Sequence, residues 1–459
     1  MRAYFRIALI ASLCTACSVG PDYKQPQIYS DIDLNKTIGI SANPNLIINH
    51  QWYKTFNDEQ LNSLIENGLK ANPDVKNALE KLRQSRLQAK IVRADFAPTV
   101  NTQGEYVDAK NFQTPEIKTT SDYFTVGFDA TWEIDIWGKT RRQNESTQAM
   151  LQAMSNNFDN VKITLRAEIA KAYINYRLNE KLLDVIKENY RLQTEIANIV
   201  KAKYNAGLAD DLALNQAHSA QLQSQMQIPD FEIALHKAKN TLSTLTGRLA
   251  DDLNLSKSDL LERIPQITSE GLTQLPADVI RARPDVQYYE RYLAAQNAQV
   301  GVLMAQLFPN LTLNGLLGWQ NNTLSPIFAS PYEIYSLGGN LTMPLLNWGK
   351  IRNNIKIQES NVRQAYNDYQ KALLAGTVDI SNAIKNLKGQ QNRLHYAKIN
   401  RQTNKQILEL SLSKYKNGLV DFSDILYAQE NKLNADKEYC QTLAALYTGI
   451  AGFYKAIGF

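Results

Sequence analysis

Carboxylates beside two glycine turns are the side chains of this sequence with the clearest local chemistry. Asp210 follows the segment 203–209, and Asp421 follows a near copy of that segment at 414–420. Each segment lies between two long helical patterns, and its glycine is typical of a left-handed residue that ends a helix. We therefore predict that Asp210 and Asp421 cap the N-termini of the helices that follow, by accepting hydrogen bonds from free backbone N–H groups.

Side chains suited to catalysis or to metal binding are scattered. The four histidines occur singly, without the spacing to carboxylates or cysteines that zinc sites use. The sequence also lacks a glycine-rich phosphate loop and the Gly-x-Ser-x-Gly motif of serine hydrolases. We therefore expect a protein that is not an enzyme and that uses no cofactor and no metal. The formal net charge of +5 is too small for a nucleic-acid-binding surface, so no nucleic-acid partner is expected.

The first sixteen residues have the form of a signal peptide. Two arginines precede a short apolar run, and small residues lead to Cys17. This order resembles a lipobox, in which the cysteine becomes the lipidated first residue, although Cys14 stands where leucine is usual. Ser18, rather than an aspartate, fits sorting to the outer membrane. The alternative is an ordinary signal peptide with an incidental cysteine. Once Cys17 is lipidated, only Cys440 remains, so no internal disulfide is expected.

The chain contains one unit twice. Lys203 recurs as Lys414, 211 residues later, and the motifs 73–75 and 137–139 recur at 284–286 and 348–350 with the same displacement. We call this displacement the repeat shift. Because the spacing is kept from the first motif to the turn, both copies should have the same elements in the same order and at the same lengths. Two copies are too few for a solenoid, which favours a wall with two-fold pseudosymmetry.

Two sequence periods divide each copy. Apolar and polar residues alternate most clearly from Phe124 to Ile134, which predicts strands of about ten residues. Longer helical patterns follow, with Pro229 as a kink or break in the return helix. We expect a signal peptide over residues 1–16 and an extended, lipidated arm over 17–57. The first repeat is expected over 58–247, with strands at 97–134 and helices at 139–245. A linker at 248–268 then leads to the second repeat, 269–459, with strands at 308–346 and helices at 350–457.

The helices and strands together favour a membrane channel. An unbroken helix from residue 139 to the first turn would be about 100 Å long, far beyond the dozen residues of an ordinary helix. Four strands with an apolar face towards lipid leave two open edges, whereas three copies would give twelve strands, an even number found in outer-membrane barrels. A soluble sandwich joined to a coiled coil is the alternative that the strand pattern leaves open.

Several motifs together resemble one known family. They are 17–23 (Cys-Ser-Val-Gly-Pro-Asp-Tyr), the two Trp-Gly-Lys motifs at 137–139 and 348–350, 281–286 (Arg-Ala-Arg-Pro-Asp-Val), and 415–429. This combination is similar to the lipoprotein (NodT-type) branch of TolC-like outer-membrane factors, over essentially the whole mature chain. The resemblance implies an α+β membrane protein. Its homotrimer would form a 12-stranded outer-membrane β-barrel, continuous with a long periplasmic α-helical barrel and a mixed equatorial domain.

The resemblance also implies a function and partners. The trimer would be the outer-membrane channel of a tripartite efflux pump, a passive exit duct for drugs or other small molecules. It would be joined through a periplasmic adaptor (membrane fusion) protein to an inner-membrane transporter, with outer-membrane lipid around the barrel. Two alternatives remain from the sequence: the exit duct of a type I protein-secretion system, and a periplasmic coiled-coil scaffold lipoprotein.

The family closes its periplasmic end with acidic rings, and the resemblance assigns such a gate to the turns. Asp424, six residues after Gly418, matches the aperture aspartate, and Asp421, Asp210 and Asp211 are further gate candidates. The position six residues after Gly207 is an alanine, so the family's acidic residue is missing in the first repeat, and Asp211 is the candidate substitute. The alternative for Asp424 is local, because a carboxylate in the first turn also suits the helix dipole.

Two sets of apolar side chains complete the candidates. The turn residues Gly207, Leu208, Gly418, Leu419 and Val420 resemble the tips on which the adaptor docks, unless these turns pack on their own helices. Trp132, Trp319, Tyr332 and Tyr335 are expected to form aromatic girdles at the membrane boundary, with capping of a protein core as the alternative.

Overall fold

The computed structural model describes residues 18–26, 41–42, 51–114, 117–265, 274–275, 279–325 and 327–459. Cys17 and the expected signal peptide lie outside the described residues. The helices are α1 (Glu59–Ala71), α2 (Pro73–Ala94), α3 (Lys139–Asn205), α4 (Asp211–Thr246), α5 (Val279–Ala282), α6 (Pro284–Ala305), α7 (Lys350–Lys416) and α8 (Phe422–Ile457). The strands are β1 (Ser41–Ala42), β2 (Thr99–Thr114), β3 (Ile117–Ile134), β4 (Gln274–Leu275), β5 (Asn310–Asn321) and β6 (Glu333–Thr342).

The helices confirm the predicted internal repeat. Helices α2 and α6 have 22 residues each, α3 and α7 have 67, and α4 and α8 have 36. The two members of each pair begin one repeat shift apart, as Lys139 and Lys350 illustrate. Equal lengths at one constant displacement mean that the two halves share one order of elements, as the motif spacing predicted.

The chain divides into two compact units. One comprises 1–27, 81–156 and 287–371, and we call it the sheet unit; the other comprises 28–80, 157–286 and 372–459, and we call it the hairpin unit. The sheet unit contains the four-stranded antiparallel sheet, in the order β2-β3-β5-β6. The hairpin unit contains both helical turns and the parallel pair β1 and β4.

The strands confirm the four-stranded prediction but differ from it in length. β5 and β6 have 12 and 10 residues, as expected, whereas β2 and β3 have 16 and 18. The expected length of about ten residues was therefore wrong for the first hairpin. Its outer part, from Val107↔Tyr123 towards the turn, is rich in polar residues, so no apolar alternation marks backbone pairing there.

Two glycines allow the two repeats to pair within the sheet. Gly127 of β3 lies directly opposite Gly318 of β5. A Cβ atom on Gly127 would lie 2.6 Å from the carbonyl oxygen of Leu317 and 2.8 Å from the Cα of Gly318. Larger residues would force the strands apart at this point, which explains glycine in the middle of two strands.

An arginine fixes the N-terminal arm in the sheet unit. The guanidinium of Arg142, near the start of α3, donates to the carbonyl oxygens of Val19 and Gly20 at 3.1 and 3.2 Å. It also bonds to the carboxylates of Asp22 and Glu145, both at 2.7 Å. The arm crosses α6 where Gly20 meets Gly301, so the backbones approach without side chains between them.

Replacing Gly301 by alanine is expected to loosen this arm. The new Cβ would lie 2.8 Å from Cγ of Arg142 and 2.9 Å from the carbonyl oxygen of Val19, so the arm has to shift. We expect the free energy of unfolding to fall by about 1–3 kcal/mol, as for other overpacked sites, and proteolysis within residues 18–26 to become faster. Urea unfolding and timed proteolysis measure both effects.

Gly389→Ala is the matched control, since a Cβ there meets nothing within 4 Å and the residue lies inside helix α7. This substitution should be neutral or stabilise by up to about 1 kcal/mol. Equal behaviour of the two variants would contradict the close packing of the arm.

The hairpin unit is anchored by an aromatic cluster. Trp52 stacks on Tyr454 with ring centroids 5.0 Å apart, and its indole N–H donates to the carbonyl oxygen of Phe459 at 3.2 Å. Trp52 lies in a 3₁₀ turn, Trp52–Phe56, so the arm expected to be extended over 17–57 contains one helical turn. Its three buried aromatic side chains supply the apolar area that fixes this turn.

Helix α4 continues through Pro229, so of the predicted kink or break the break is wrong. Proline removes one N–H and frees the carbonyl four residues earlier, here that of Gln225. Gln225 and Pro229 are both exposed, so water can donate a hydrogen bond to that carbonyl. The rest of the 36-residue helix keeps the backbone helical on both sides of the proline.

Candidate functional site

Both helical turns have the predicted left-handed glycine. Gly207 and Gly418 each have φ of 71°. The N–H of Leu208 donates to the carbonyl of Lys203 at 2.8 Å, and that of Leu419 donates to Lys414 at 2.9 Å. These six-to-one hydrogen bonds end α3 and α7 in the same way, because only glycine adopts this backbone conformation without cost.

The aspartates after the turns cap helices, as predicted. Asp210 precedes α4, and its Oδ1 accepts from the N–H of Ala213 at 2.8 Å. Asp421 precedes α8 and forms a reciprocal capping box with Asp424, whose Oδ2 accepts from the N–H of Asp421 at 3.2 Å. The structure therefore brings Asp421 and Asp424 together, at an exposed helix N-terminus that favours negative charge.

Asp211 occupies a different environment. It is the first residue of α4, is exposed, and accepts a hydrogen bond from the phenol of Tyr204. This bond and the charge of Asp211 raise the pKa of Tyr204. In the second turn, burial and then the charge of Asp210 raise the pKa of Tyr415. The two carboxylates that follow the first turn are thus adjacent to tyrosines at the ends of α3 and α7.

The turns also expose apolar side chains. Leu208 and Leu419 are 73% and 72% exposed. Val420 is half-buried and packs against the apolar cluster beneath the turns, which includes Val200, Tyr415 and Ile425. Two leucines as exposed as these add little to the packing of their own chain.

A lysine missed by the sequence reasoning joins the two helical hairpins. The ammonium of Lys203, in the last turn of α3, donates to the carbonyl oxygen of Tyr415 at 2.5 Å and lies 4.1 Å from the centroid of its ring. It therefore adds a second hydrogen bond to a carbonyl at the end of α7, which also accepts from the N–H of Gly418 at 3.0 Å, and it gains a cation–π contact. The repeat marks these positions, because Lys203 and Tyr204 recur as Lys414 and Tyr415, but it does not indicate that Lys203 contacts Tyr415.

A buried polar layer was also missed. Asn189 of α3 donates to Ser224 of α4 at 2.9 Å and accepts from Gln429 of α8 at 3.4 Å. All three side chains are buried, and Oε1 of Gln429 has no partner. Gln429 lies one turn after Ile425, on the apolar face of α8, so a polar residue there was the available signal.

The aromatic candidates lie at two levels of the sheet. Trp132 is opposite Leu313 near one end of the β3–β5 pair, and its N–H donates to the carbonyl of Phe96 at 3.1 Å. Trp319 is opposite Val126, six residues or about 20 Å further along β3, and packs edge-on against Phe328. Tyr332, in the turn Ser330–Tyr332, and Tyr335, which is 83% exposed, lie towards the Trp319 end.

The side chains suited to metal binding are scattered over the described residues as well. No group of three or more histidines, cysteines, aspartates or glutamates there could hold a metal ion. None of the helices in those segments combines the length and the apolar character that crossing a bilayer needs.

Comparisons with known proteins identify the family. The family model described as "Outer membrane efflux protein" matches residues 64–248 and 275–458, one match in each half. The pyoverdine export outer membrane protein OpmQ of Pseudomonas aeruginosa is 27% identical over 89% of this chain and 87% of its own. Nodulation protein T of Rhizobium leguminosarum is 25% identical over 97% of this chain and 96% of its own.

The fold is also that of a solved channel. The outer-membrane channel OprN superposes with a TM-score of 0.88 at 27% identity, over 96% of this chain and 99% of its own. The TolC-like fold, with four strands per chain, long helices and repeated halves, is thereby confirmed. The chain belongs to the outer membrane efflux protein family, and it is an outer-membrane channel of efflux pumps rather than an enzyme.

Proposed function

We propose that three copies of this chain form a homotrimer whose sheets close one 12-stranded barrel, the passive exit duct of a tripartite efflux pump. The observation that carries this proposal is the sheet order, β2-β3-β5-β6, which leaves β2 and β6 as unpaired edges. In lipid each unsatisfied backbone group costs several kcal/mol, so four strands cannot stand alone in a bilayer. Twelve strands form a closed barrel of ordinary size.

The two aromatic levels support a membrane-spanning sheet. Trp132 and the Trp319–Tyr335 group are about 20 Å apart along the strands, close to the height of about 25 Å of the apolar band in such barrels. We assign Trp132 to one girdle and Trp319, Tyr332 and Tyr335 to the other, with outer-membrane lipid between them.

The position of the arm supports a lipid anchor at Cys17. Ser18, the next residue, lies against Gly138 at the end of the sheet, where a Cβ on that glycine would be 2.6 Å from the Ser18 hydroxyl. The N–H of Val19 donates to the carbonyl of Trp137 at 3.1 Å. Acyl chains on Cys17 would therefore start beside the strand-to-helix junction, near one girdle, and reach lipid from there.

The turns are the proposed contacts with the pump. Leu208 and Leu419 are exposed at the two tips, and together with Gly207, Gly418 and Val420 they would meet a periplasmic adaptor protein. An inner-membrane transporter would supply the energy. OpmQ is named for pyoverdine export, which favours a small-molecule cargo over the protein cargo of a type I secretion duct. The scaffold alternative is abandoned because the chain belongs to a channel family.

We assign the gate to the exposed carboxylates of the turns. Asp424 would form the ring at the aperture, and Asp421, Asp210 and Asp211 would add negative charge near it. Such rings of carboxylates attract cations and would make the closed channel cation-selective. The capping box is compatible with this role, since the Asp424 carboxylate is exposed while it holds the Asp421 N–H.

Single-channel conductance in planar bilayers tests the duct and the gate. We expect the wild-type protein to give a small, cation-selective current and Asp424→Ala to give a severalfold larger, less selective one. Asp74→Ala is the matched control, because Asp74 is an exposed carboxylate in the first turn of α2, outside the helical turns. It should leave the current unchanged.

The outcomes separate the two parts of the proposal. A wild-type current that is equal in Asp424→Ala would leave Asp424 as a helix cap alone. Absence of current from a folded trimer would overturn the duct.

A further inference from the structure

A polar cavity lies between α3, α7 and α8, within the hairpin unit. Its volume is about 670 Å³, inside the range of about 300–1,000 Å³ that small-molecule sites occupy. The charged side chains that line it are Lys171, Arg283, Asp285, Asp379 and Lys455. None of them belongs to the helical turns, so the proposed gate and docking contacts leave this cavity without a role.

The two carboxylates of the cavity are already bonded. Arg283, whose side chain is 7% exposed, binds Asp285 at 2.7 Å and Asp379 at 3.2 Å. The lining contains three cations and two carboxylates, so its net charge is +1. Because the guanidinium is occupied by the carboxylates, the excess positive charge lies on the two lysines.

Lys171 has an ammonium group without a bonded partner in the described chain. The residue is half-buried in α3, and none of the described residues forms a hydrogen bond or an ion pair with it. Burial, and then the positive charge of Lys455, lower the pKa of Lys171, and Glu168 opposes them only in part. Glu168 is also the ion-pair partner of Lys455, at 3.8 Å. A bound anion would therefore recover free energy that the half-buried ammonium costs.

Two glycines of α8 form the floor of the cavity. Gly449 and Gly452 are three residues apart and lie on one face of the helix. A Cβ on Gly449 would lie 3.0 Å from Cδ2 of Leu387, so close packing against α7 explains this glycine. A Cβ on Gly452 would meet only Nζ and Cε of Lys171, at 3.7 and 3.8 Å, which is ordinary contact. Packing thus does not require the glycine at 452, and the room that it leaves lies beside the ammonium.

The first repeat lacks these features. Lys171 corresponds to Asn382, one repeat shift later. One repeat shift earlier, Gly452 corresponds to Thr241, and a threonine also takes the place of Lys455. The lysines and the glycine at 452 are therefore not a consequence of the repeated architecture.

A neutral donor lies over the same floor. Nδ2 of Asn386, in α7, would be 3.4 Å from a Cβ on Gly449. The other end of this amide, Oδ1, accepts a hydrogen bond from Nε2 of Gln390 at 3.4 Å. This bond assigns the oxygen of Asn386, so its N–H groups are turned to the side of the cavity floor. Donors from α3, α7 and α8 thus line one cavity.

We propose that this cavity binds a phosphate group, of free phosphate or of a small phosphate monoester, through the ammonium groups of Lys171 and Lys455 and the amide N–H of Asn386. A dianion with several acceptor oxygens matches two ammonium groups and an amide, and such charge-assisted hydrogen bonds are the strong ones. The carboxylate of Asp379 opposes an anion in the same cavity, so the site is weak, with a Kd of about 1 mM. Phosphate binding here is separate from conduction, so its failure would leave the proposed duct in place.

Equilibrium dialysis of the full-length protein in detergent against labelled inorganic phosphate, at constant pH and ionic strength, tests the site. We expect saturable binding by the wild-type protein. Lys171→Met should weaken it at least about tenfold, as expected for the loss of one charge-assisted hydrogen bond. Lys201→Met is the matched control, since Lys201 is an exposed lysine of the same helix outside the cavity, and it should leave the Kd unchanged.

Two further variants keep the test decisive if circular dichroism shows that Lys171→Met does not fold. Lys455→Met changes a side chain that is 40% exposed, and Gly452→Ala adds one methyl group at contact distance from the Lys171 ammonium, so both should fold. Both should weaken phosphate binding severalfold. In Gly452→Ala the methyl group would occupy the room beside the ammonium.

A comparison of inorganic phosphate with glycerol 3-phosphate identifies the ligand. Tighter binding of glycerol 3-phosphate would assign a phosphate monoester, whose remainder fills the rest of the cavity, and tighter binding of inorganic phosphate would assign free phosphate. Absence of saturable binding of both compounds would overturn the site. Equal Kd values for the wild type, Lys455→Met and Gly452→Ala would also overturn it, because the phosphate would then bind elsewhere.

Discussion

Arg283→Ala is expected to lower the free energy of unfolding by about 3 kcal/mol, at the lower end of the range for a broken buried ion pair. The Arg283 side chain is 7% exposed, whereas its carboxylate partners Asp285 and Asp379 are 31% and 55% exposed. Solvent can therefore take up part of the charge that alanine would leave behind, which places the effect at this lower end.

The geometry of Arg283 explains why one residue has so large an effect. It holds Asp285 with two nitrogens, at 3.0 and 2.7 Å, and donates to the carbonyl of Ala456 at 2.6 Å. Burial opposes its charge, but the hydrogen bonds to Asp285 and Asp379 outweigh burial and raise the pKa of the guanidinium. The side chain thus stays charged and ties the start of α6 to α7 and to the end of α8, all within the hairpin unit.

Urea unfolding in detergent, followed by helical circular dichroism at one protein concentration, measures this effect. Arg393→Ala is the matched control: Arg393 pairs with Glu438 at 3.2 Å, but both side chains are well exposed, so a loss of at most about 1 kcal/mol is expected. Arg283→Lys should recover less than half of the unfolding free energy that Arg283→Ala loses, since an ammonium cannot hold a carboxylate with two nitrogens. Equal losses for the two alanine variants would show that burial of Arg283 contributes nothing.

The sequence predicted the elements because their signals are local. Alternation from Phe124 to Ile134 and the glycine turns at 207 and 418 depend on neighbours in sequence, and the structure follows them. The repeat shift added the correct helix lengths of both halves. Cap positions at Asp210 and Asp421 were equally predictable, since capping needs only the next three residues.

Contacts between distant segments could not be derived in the same way. Arg142 binds carbonyls more than one hundred residues away, and Lys203 caps a helix that ends in the other repeat. The periodicity of the sequence does not indicate such pairs, because they depend on how whole helices and strands pack. The length of the β2–β3 hairpin was missed for another reason: its outer pairs are polar, and backbone pairing leaves no trace in side-chain pattern.

Asp58→Ala is expected to lower the free energy of unfolding by about 3–4 kcal/mol, whereas the same change at Asp421 should lower it by only about 1 kcal/mol. Both residues are N-caps, of α1 and α8, and the N–H of Leu61 donates to Oδ1 of Asp58 at 3.0 Å. Asp58 is 7% exposed, and its Oδ2 also accepts from Tyr173 at 2.8 Å and from Ser258 at 2.6 Å. Alanine would leave these two hydroxyls without their partner in a buried site.

The comparison isolates burial from capping, because residue type and cap position are the same in both variants. Burial, together with the Asp58 carboxylate, raises the pKa of Tyr173, so the phenol keeps its proton and donates throughout the ordinary pH range. Combining Asp58→Ala with Tyr173→Phe should therefore show coupling of at least about 1 kcal/mol in urea unfolding. Two outcomes would contradict this: additive losses of unfolding free energy in the double variant, or a loss for Asp58→Ala no larger than that for Asp421→Ala. Either would mean that Asp58 acts as a cap alone and that apolar packing holds the segments of Tyr173 and Ser258 to α1.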